Sequence, residues 1–77
     1  MPNSDELHKL IADAVTAKGS QAKLATAAGC SQQQIAYLLK ASSISVEMAL
    51  KIDLATDGVV SKHQLRPDFF GKAEQAA

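Results

Sequence analysis

Apolar and polar residues follow one another with a helical period in four blocks along the chain. In the first, Leu7, Leu10, Ile11, Ala14 and Val15 recur at spacings of three and four, which puts them on one stripe of a helix. Asn3 and Ser4 are both cap residues, and Asn3 with Glu6 makes a capping-box start. Gly19 after Lys18 supplies the stop. Ser20 caps a second helix over 21–28. Ser31 caps a third that runs from Gln32 to about Lys40, with Gln34 placed to complete a capping box. After the polar link Ala41-Ser42-Ser43, Ser45 caps a fourth helix over 46–56, and Ile44 staples its first turn. Val46, Ala49, Leu50, Ile52 and Leu54 give that helix a wide apolar face, and Asp57-Gly58 ends it. Val59 and Val60 suit a short extended piece. Ser61 caps one last turn over 62–65 before Arg66-Pro67 interrupts regular structure. The tail from Gly71 to Ala77 offers no anchoring residue and is expected to fray. No stretch alternates with period two. The pattern therefore predicts an all-α fold, a compact bundle of four to five short helices with its core over about 4–70.

The stretch from Gln21 to Lys40 holds more than two helices. Ala25 is small where the first helix must admit the second at close range. Gly29 stands at the turn, where a left-handed backbone is needed. Leu24, Ala28, Cys30, Ile35 and Leu38 are apolar where the two helices face each other and the core, and most positions between are polar. This is the pattern of a helix-turn-helix.

Length and composition narrow the picture. Seventy-seven residues, 47% of them hydrophobic, fit one small globular domain over 1–77. No apolar run is long enough for a membrane span, and the polar start with Asp5 and Glu6 is unlike a secretory signal. One cysteine forms no internal disulfide and suits a reducing compartment, so a cytoplasmic location is expected. Net charge is zero, yet its distribution is uneven. Between Asp13 and Glu47 no acid occurs, while Lys18, Lys23 and Lys40 do, so the motif segment carries a local charge of about +3.

A helix-turn-helix lays its second helix in the major groove of DNA, where the N-terminal residues reach base edges. Here these are Ser31, Gln32 and Gln33, with Tyr37 one turn further on. A glutamine amide offers a donor and an acceptor that pair with N6 and N7 of adenine. Gln32 and Gln33 are the leading candidates for base readout, and Gln34 is expected to serve mainly as a capping partner. Gln21, Lys18, Lys23 and Lys40 are candidates for phosphate contacts.

Other chemistry finds little support. Cys30 fills an apolar slot at the turn and is expected to be buried as a small hydrophobe. His8 and His63 have no spacing that resembles a metal site. No nucleophile triad, carboxylate pair or phosphate-cradling loop is present in the sequence, so neither an enzyme, a cofactor nor a metal is expected. Arg66 and Asp68 have two readings: a lock around Pro67, or part of a partner surface. Phe69 and Phe70 either pack back on the first helix or anchor a dimer.

The segment SQQQIAYLL resembles the recognition helix of the Cro and repressor proteins of lambdoid phages. Gly19-Ser20-Gln21 at the start of the motif and Leu65-Arg66-Pro67-Asp68 near the end extend the likeness to the small Cro-like proteins of the YdaS type found in prophages. It spans about residues 7–70. The resemblance implies a lambda-repressor or Cro-like DNA-binding domain, acting as a sequence-specific transcriptional repressor of a phage or prophage. Its implied partner is a palindromic double-stranded operator, bound as a homodimer. Ala36 departs from the pattern, since related recognition helices often carry a polar residue there. With the neutral net charge, this keeps a rival open: an antitoxin-like or anti-repressor module that retains the helix-turn-helix but works by binding a protein.

Overall fold

The computed structural model describes residues 3–71. Six helices follow one another: α1 (Ser4–Lys18), α2 (Gln21–Ala28), α3 (Gln32–Leu38), α4 (Val46–Ala55), α5 (Lys62–Leu65) and α6 (Pro67–Phe70). No strand occurs among the described residues.

Local chemistry explains the starts. Asn3, Ser20, Ser31, Ser45 and Ser61 all have extended backbones, and each side chain accepts the N–H three residues on. Each bond satisfies one of the donors that a helix start leaves without a partner. Asn3 with Glu6 and Ser61 with Gln64 form reciprocal capping boxes. Ser31 and Gln34 form only half of one: the Ser31 hydroxyl accepts the Gln34 N–H at 3.1 Å, but the Gln34 side chain does not return to the cap.

The end of α2 decides the turn. Gly29 takes φ +74°, its N–H donates to the Thr26 carbonyl at 3.2 Å, and the Cys30 N–H reaches back to the Ala25 carbonyl at 2.9 Å. This pair of bonds closes a helix over a left-handed residue. A Cβ at Gly29 would meet nothing within 4 Å, so the glycine answers a need for backbone conformation and not for space.

The core joins α2 to its neighbours. α2 packs against α1, α3 and α4, and Leu24, Ile35, Ile11, Ala49, Ile52 and Leu65 are fully buried. Each large aliphatic chain among them contributes about 1.5–3 kcal/mol when removed from water. Ala25, 3% exposed, is the small residue that lets α3 come close.

The C-terminal third departs from the sequence expectation in several places. α3 ends at Leu38 and α4 at Ala55, each short of the expected bound. Val59 and Val60 form no extended piece. Here Asp57 (φ +53°) and Gly58 (φ +82°) turn the chain, and the Gly58 N–H donates to the Asp53 carbonyl at 3.0 Å. Val60 is buried and Val59 is 65% exposed. The apolar face of α4 is narrower than its residue pattern: Leu54 is 71% exposed and Leu50 39%. Arg66 does break the helix, as the residue before a proline must. Pro67 then opens another helical turn instead of ending regular structure, because its fixed φ suits a first helical position. Six helices thus replace the expected four or five. The reading of a frayed tail lies, beyond Gly71, outside the described residues.

Candidate nucleic-acid interface

Helical geometry sorts the residues of α3 into an inner and an outer set. Ile35 and Leu38, three apart, point into the core with at most 2% exposure. Gln32, Gln33 and Gln34 in the first turn are exposed, and so is Tyr37, at 62%. Gln33 and Tyr37, four apart, share one outward stripe, and exposed Lys40 continues it just beyond the helix end. The exposed side of α3 therefore presents three glutamine amides and one tyrosine ring with its hydroxyl. Ala36 lies half-buried beside this stripe and not at its centre.

Ser31 stands at the tip. Its hydroxyl already accepts the Gln34 N–H, but an accepting hydroxyl keeps its own proton free to donate. Its backbone is fixed by the cap, so the two glutamines that follow start from a rigid anchor. The side chain of Gln34 borders a depression of about 310 Å³ together with Tyr37, Ser43, Ser45 and Arg66. Of the expected capping role, only the backbone N–H of Gln34 takes part.

The cations fall into two places. Lys18, at the end of α1, and Lys23, on α2, rim one shallow depression of about 490 Å³ floored by Ala22, Thr26 and Ala27. The Thr26 hydroxyl is turned inward, donating to the Ala22 carbonyl at 3.0 Å. Lys23 folds over the turn between α1 and α2, where a Cβ at Gly19 would lie 3.5 Å from its Cδ and 3.7 Å from its Nζ. Two lysines thus border one mostly apolar depression. Gln21, half-buried, is the first residue of α2, beside the free N–H groups of that helix start. Lys40 lies just past the far end of α3.

Cys30 is half-buried, less than expected, because the turn it follows lies near the surface. Burial raises its thiol above the usual range, and nearby Lys51 opposes the shift. Among the described residues no three His, Cys, Asp or Glu are grouped to hold a metal ion.

The long-range contacts that reach the 41–44 link carried no signal in the residue pattern. The His8 imidazole donates through Nε2 to the Ala41 carbonyl at 2.7 Å. Arg66 grips both Asp68 carboxylate oxygens, at 3.0 and 2.8 Å, and donates through Nη1 to the Ile44 carbonyl at 2.7 Å. The fork holds the Asp68 carboxyl below its ordinary range and raises the guanidinium further. The lock around Pro67 is therefore present, and it also reaches the link after α3. Phe70 packs against the core and stands edge-on to His63 (centroids 6.2 Å apart), while Phe69 is 65% exposed.

A family model described as bacterial toxin YdaS matches residues 11–74. The chain belongs to the YdaS family of Cro-like prophage regulators. Its fold is similar to that of the Cro protein from the putative prophage element Xfaso 1 in Xylella fastidiosa strain Ann-1, with a TM-score of 0.72 and 32% identity. The likeness covers 80% of this chain and 95% of that one. Among curated proteins no match is found. Membership of the YdaS family and the Cro-like helix-turn-helix fold point to a regulatory protein. Among the described residues no helix is long and apolar enough to cross a membrane.

Proposed function

We propose that the chain is a single DNA-binding domain that represses transcription from a phage or prophage operator. It acts in the bacterial cytoplasm and binds a palindromic site as a homodimer. In this reading α3 enters the major groove, Ser31, Gln32, Gln33 and Tyr37 meet base edges, and Gln21, Lys18, Lys23 and Lys40 meet phosphates. The observation that carries it is the exposed row of Gln32, Gln33, Gln34 and Tyr37 on α3, mounted on a helix whose inner residues Ile35 and Leu38 are buried. A rigid helix with free amides at its tip has the form that base readout needs. Likeness to a protein named Cro supports the same reading. The word toxin in the family description names an effect on a cell and leaves the molecular activity open.

Selection of bound duplexes from a random library at about 0.1 M salt tests it. The expected product is a two-fold symmetric site with half-sites about one helical turn apart. Gln32→Ala is expected to relax the choice of base at one position per half-site, by about 1–3 kcal/mol.

A second reading treats the helix-turn-helix as a scaffold for binding a protein, as an antitoxin or anti-repressor would. The exposed apolar run of Leu50, Leu54 and Val59 favours it. It predicts no enriched site and only weak, salt-sensitive binding to any duplex.

A further inference from the structure

The link between α3 and α4 is short, polar in the middle and tied down at both ends. Ala41 and Ile44 are buried, at 5% and 3% exposure, while Ser42 and Ser43 between them are exposed. Apolar burial of two small or medium side chains alone leaves the backbone free to rotate between them. Two long-range hydrogen bonds remove that freedom. His8, 33 residues earlier on α1, donates to the Ala41 carbonyl at 2.7 Å. Arg66, 22 residues later, donates to the Ile44 carbonyl at 2.7 Å while its other nitrogens are held by Asp68. Each donor comes from a different part of the chain, so the link is braced from two sides. Lys40 immediately precedes the first brace and is exposed.

We propose that His8 and Arg66 are positioning residues for DNA binding. They hold the 41–44 link so that Lys40 and the Ser42 and Ser43 hydroxyls meet one backbone phosphate beside the groove that α3 occupies. The proposal rests on the DNA-binding reading above. The physical ground is that phosphate contacts set the register of a protein on the duplex. A contact made by short hydroxyls on a loop is useful only when the backbone that carries them is fixed beforehand. The link contains no cation after Lys40, so its contacts with a phosphate come from the hydroxyls and the backbone. Arg66 is itself occupied: with Asp68 across its fork it serves as a brace and not as a free charge for the phosphate.

The test uses the full chain and a duplex enriched by selection, with single phosphates replaced in turn by neutral methylphosphonates. For the unaltered protein, one neutral linkage beside the groove is expected to weaken binding by about 3–10-fold, the size of one hydrogen bond. In His8→Ala the same linkage is expected to lose its effect, while every other linkage and the discrimination at the base opposite Gln32 keep theirs. His8→Gln, which retains an amide donor, is expected to recover part of the sensitivity. If His8→Ala fails to fold, as judged by circular dichroism, Arg66→Lys supplies the same comparison, because a lysine cannot grip Asp68 with a fork and reach Ile44 together. Equal sensitivity of variant and unaltered protein at every linkage overturns the proposal and leaves the DNA-binding reading standing. A uniform loss at all linkages overturns it too, since it marks a merely structural role. Failure to enrich any duplex overturns the DNA-binding reading and the proposal with it.

Discussion

The helix-turn-helix of α2 and α3 and the C-terminal third from α4 to α6 are built by different means. Small and aliphatic side chains hold the first: Leu24, Ala25, Ala28, Ile35 and Leu38 interlock, and serine caps and one glycine set the ends. The second buries Met48, Ala49, Ile52, Ala55, Val60 and Leu65 and adds to that packing side chains that bond to backbone. Thr56 donates to the Ile52 carbonyl at 2.9 Å and accepts the Val60 N–H at 3.2 Å. Asp53 accepts the Lys62 N–H at 2.8 Å, placing an acid at the start of α5, and Arg66 ties α6 to the link before α4. A one-turn helix has too little area to dock by apolar contact alone. Polar braces supply what α5 and α6 lack. One small domain thus combines a stiff helix-turn-helix with a laced support.

Substitutions sharpen that contrast. The largest effect is expected for Ile35→Ala, which opens a cavity between α2 and α3 and costs about 2–5 kcal/mol in chemical denaturation. For a domain of this size that is most of its stability. Next is Thr56→Val, nearly the same shape but leaving the Val60 N–H without its partner, at about 1–3 kcal/mol. If Thr56→Val proves neutral, the polar braces add nothing to the apolar packing of the C-terminal third and the contrast fails.

The two regions also differ in how legible they are in sequence. Caps and glycine stops carry their meaning within three or four residues, so Ser20, Ser31 and Gly29 announce α2 and α3 before any packing is known. Ala25 and Ile35 follow from helical spacing. The braces of the C-terminal third join residues far apart in the chain: nothing local in His8 points to Ala41, or in Arg66 to Ile44. The same limit explains Leu50 and Leu54, whose apolar character reads as core although no element of the described chain covers Leu54. Pro67 reads as an interruption because the pattern before it ends, while the helical turn after it depends on Arg66 being held in place. The glutamines of α3 were singled out by motif, and their exposure fits that choice. Gln34 was assigned to a cap that its backbone makes without the side chain.

Smaller effects probe the electrostatics. Lys23→Ala is expected to weaken binding to all sequences alike and to reduce the salt slope by about 1, read from affinities across a salt series. Its stability should be unchanged, because the Lys23 side chain is exposed. The smallest effect concerns acid. The Asp68 carboxyl sits below its ordinary range because Arg66 binds the charged form, so the pair stabilises the fold fully above about pH 4. That contribution is lost as pH falls through the lowered value. Asp68→Asn should therefore flatten the acid limb of a stability profile and leave the neutral region little changed beyond the loss of the pair.

The central claim is that the polar side of α3 is the working face. Amide chemical-shift mapping during titration with a selected duplex tests it most directly. The largest changes are expected at Gln32, Gln33 and Tyr37, smaller ones at Gln21, Lys23 and Lys40, and little along α4 at Leu50 and Leu54. Changes centred on α4, with the tip of α3 unmoved, would contradict it.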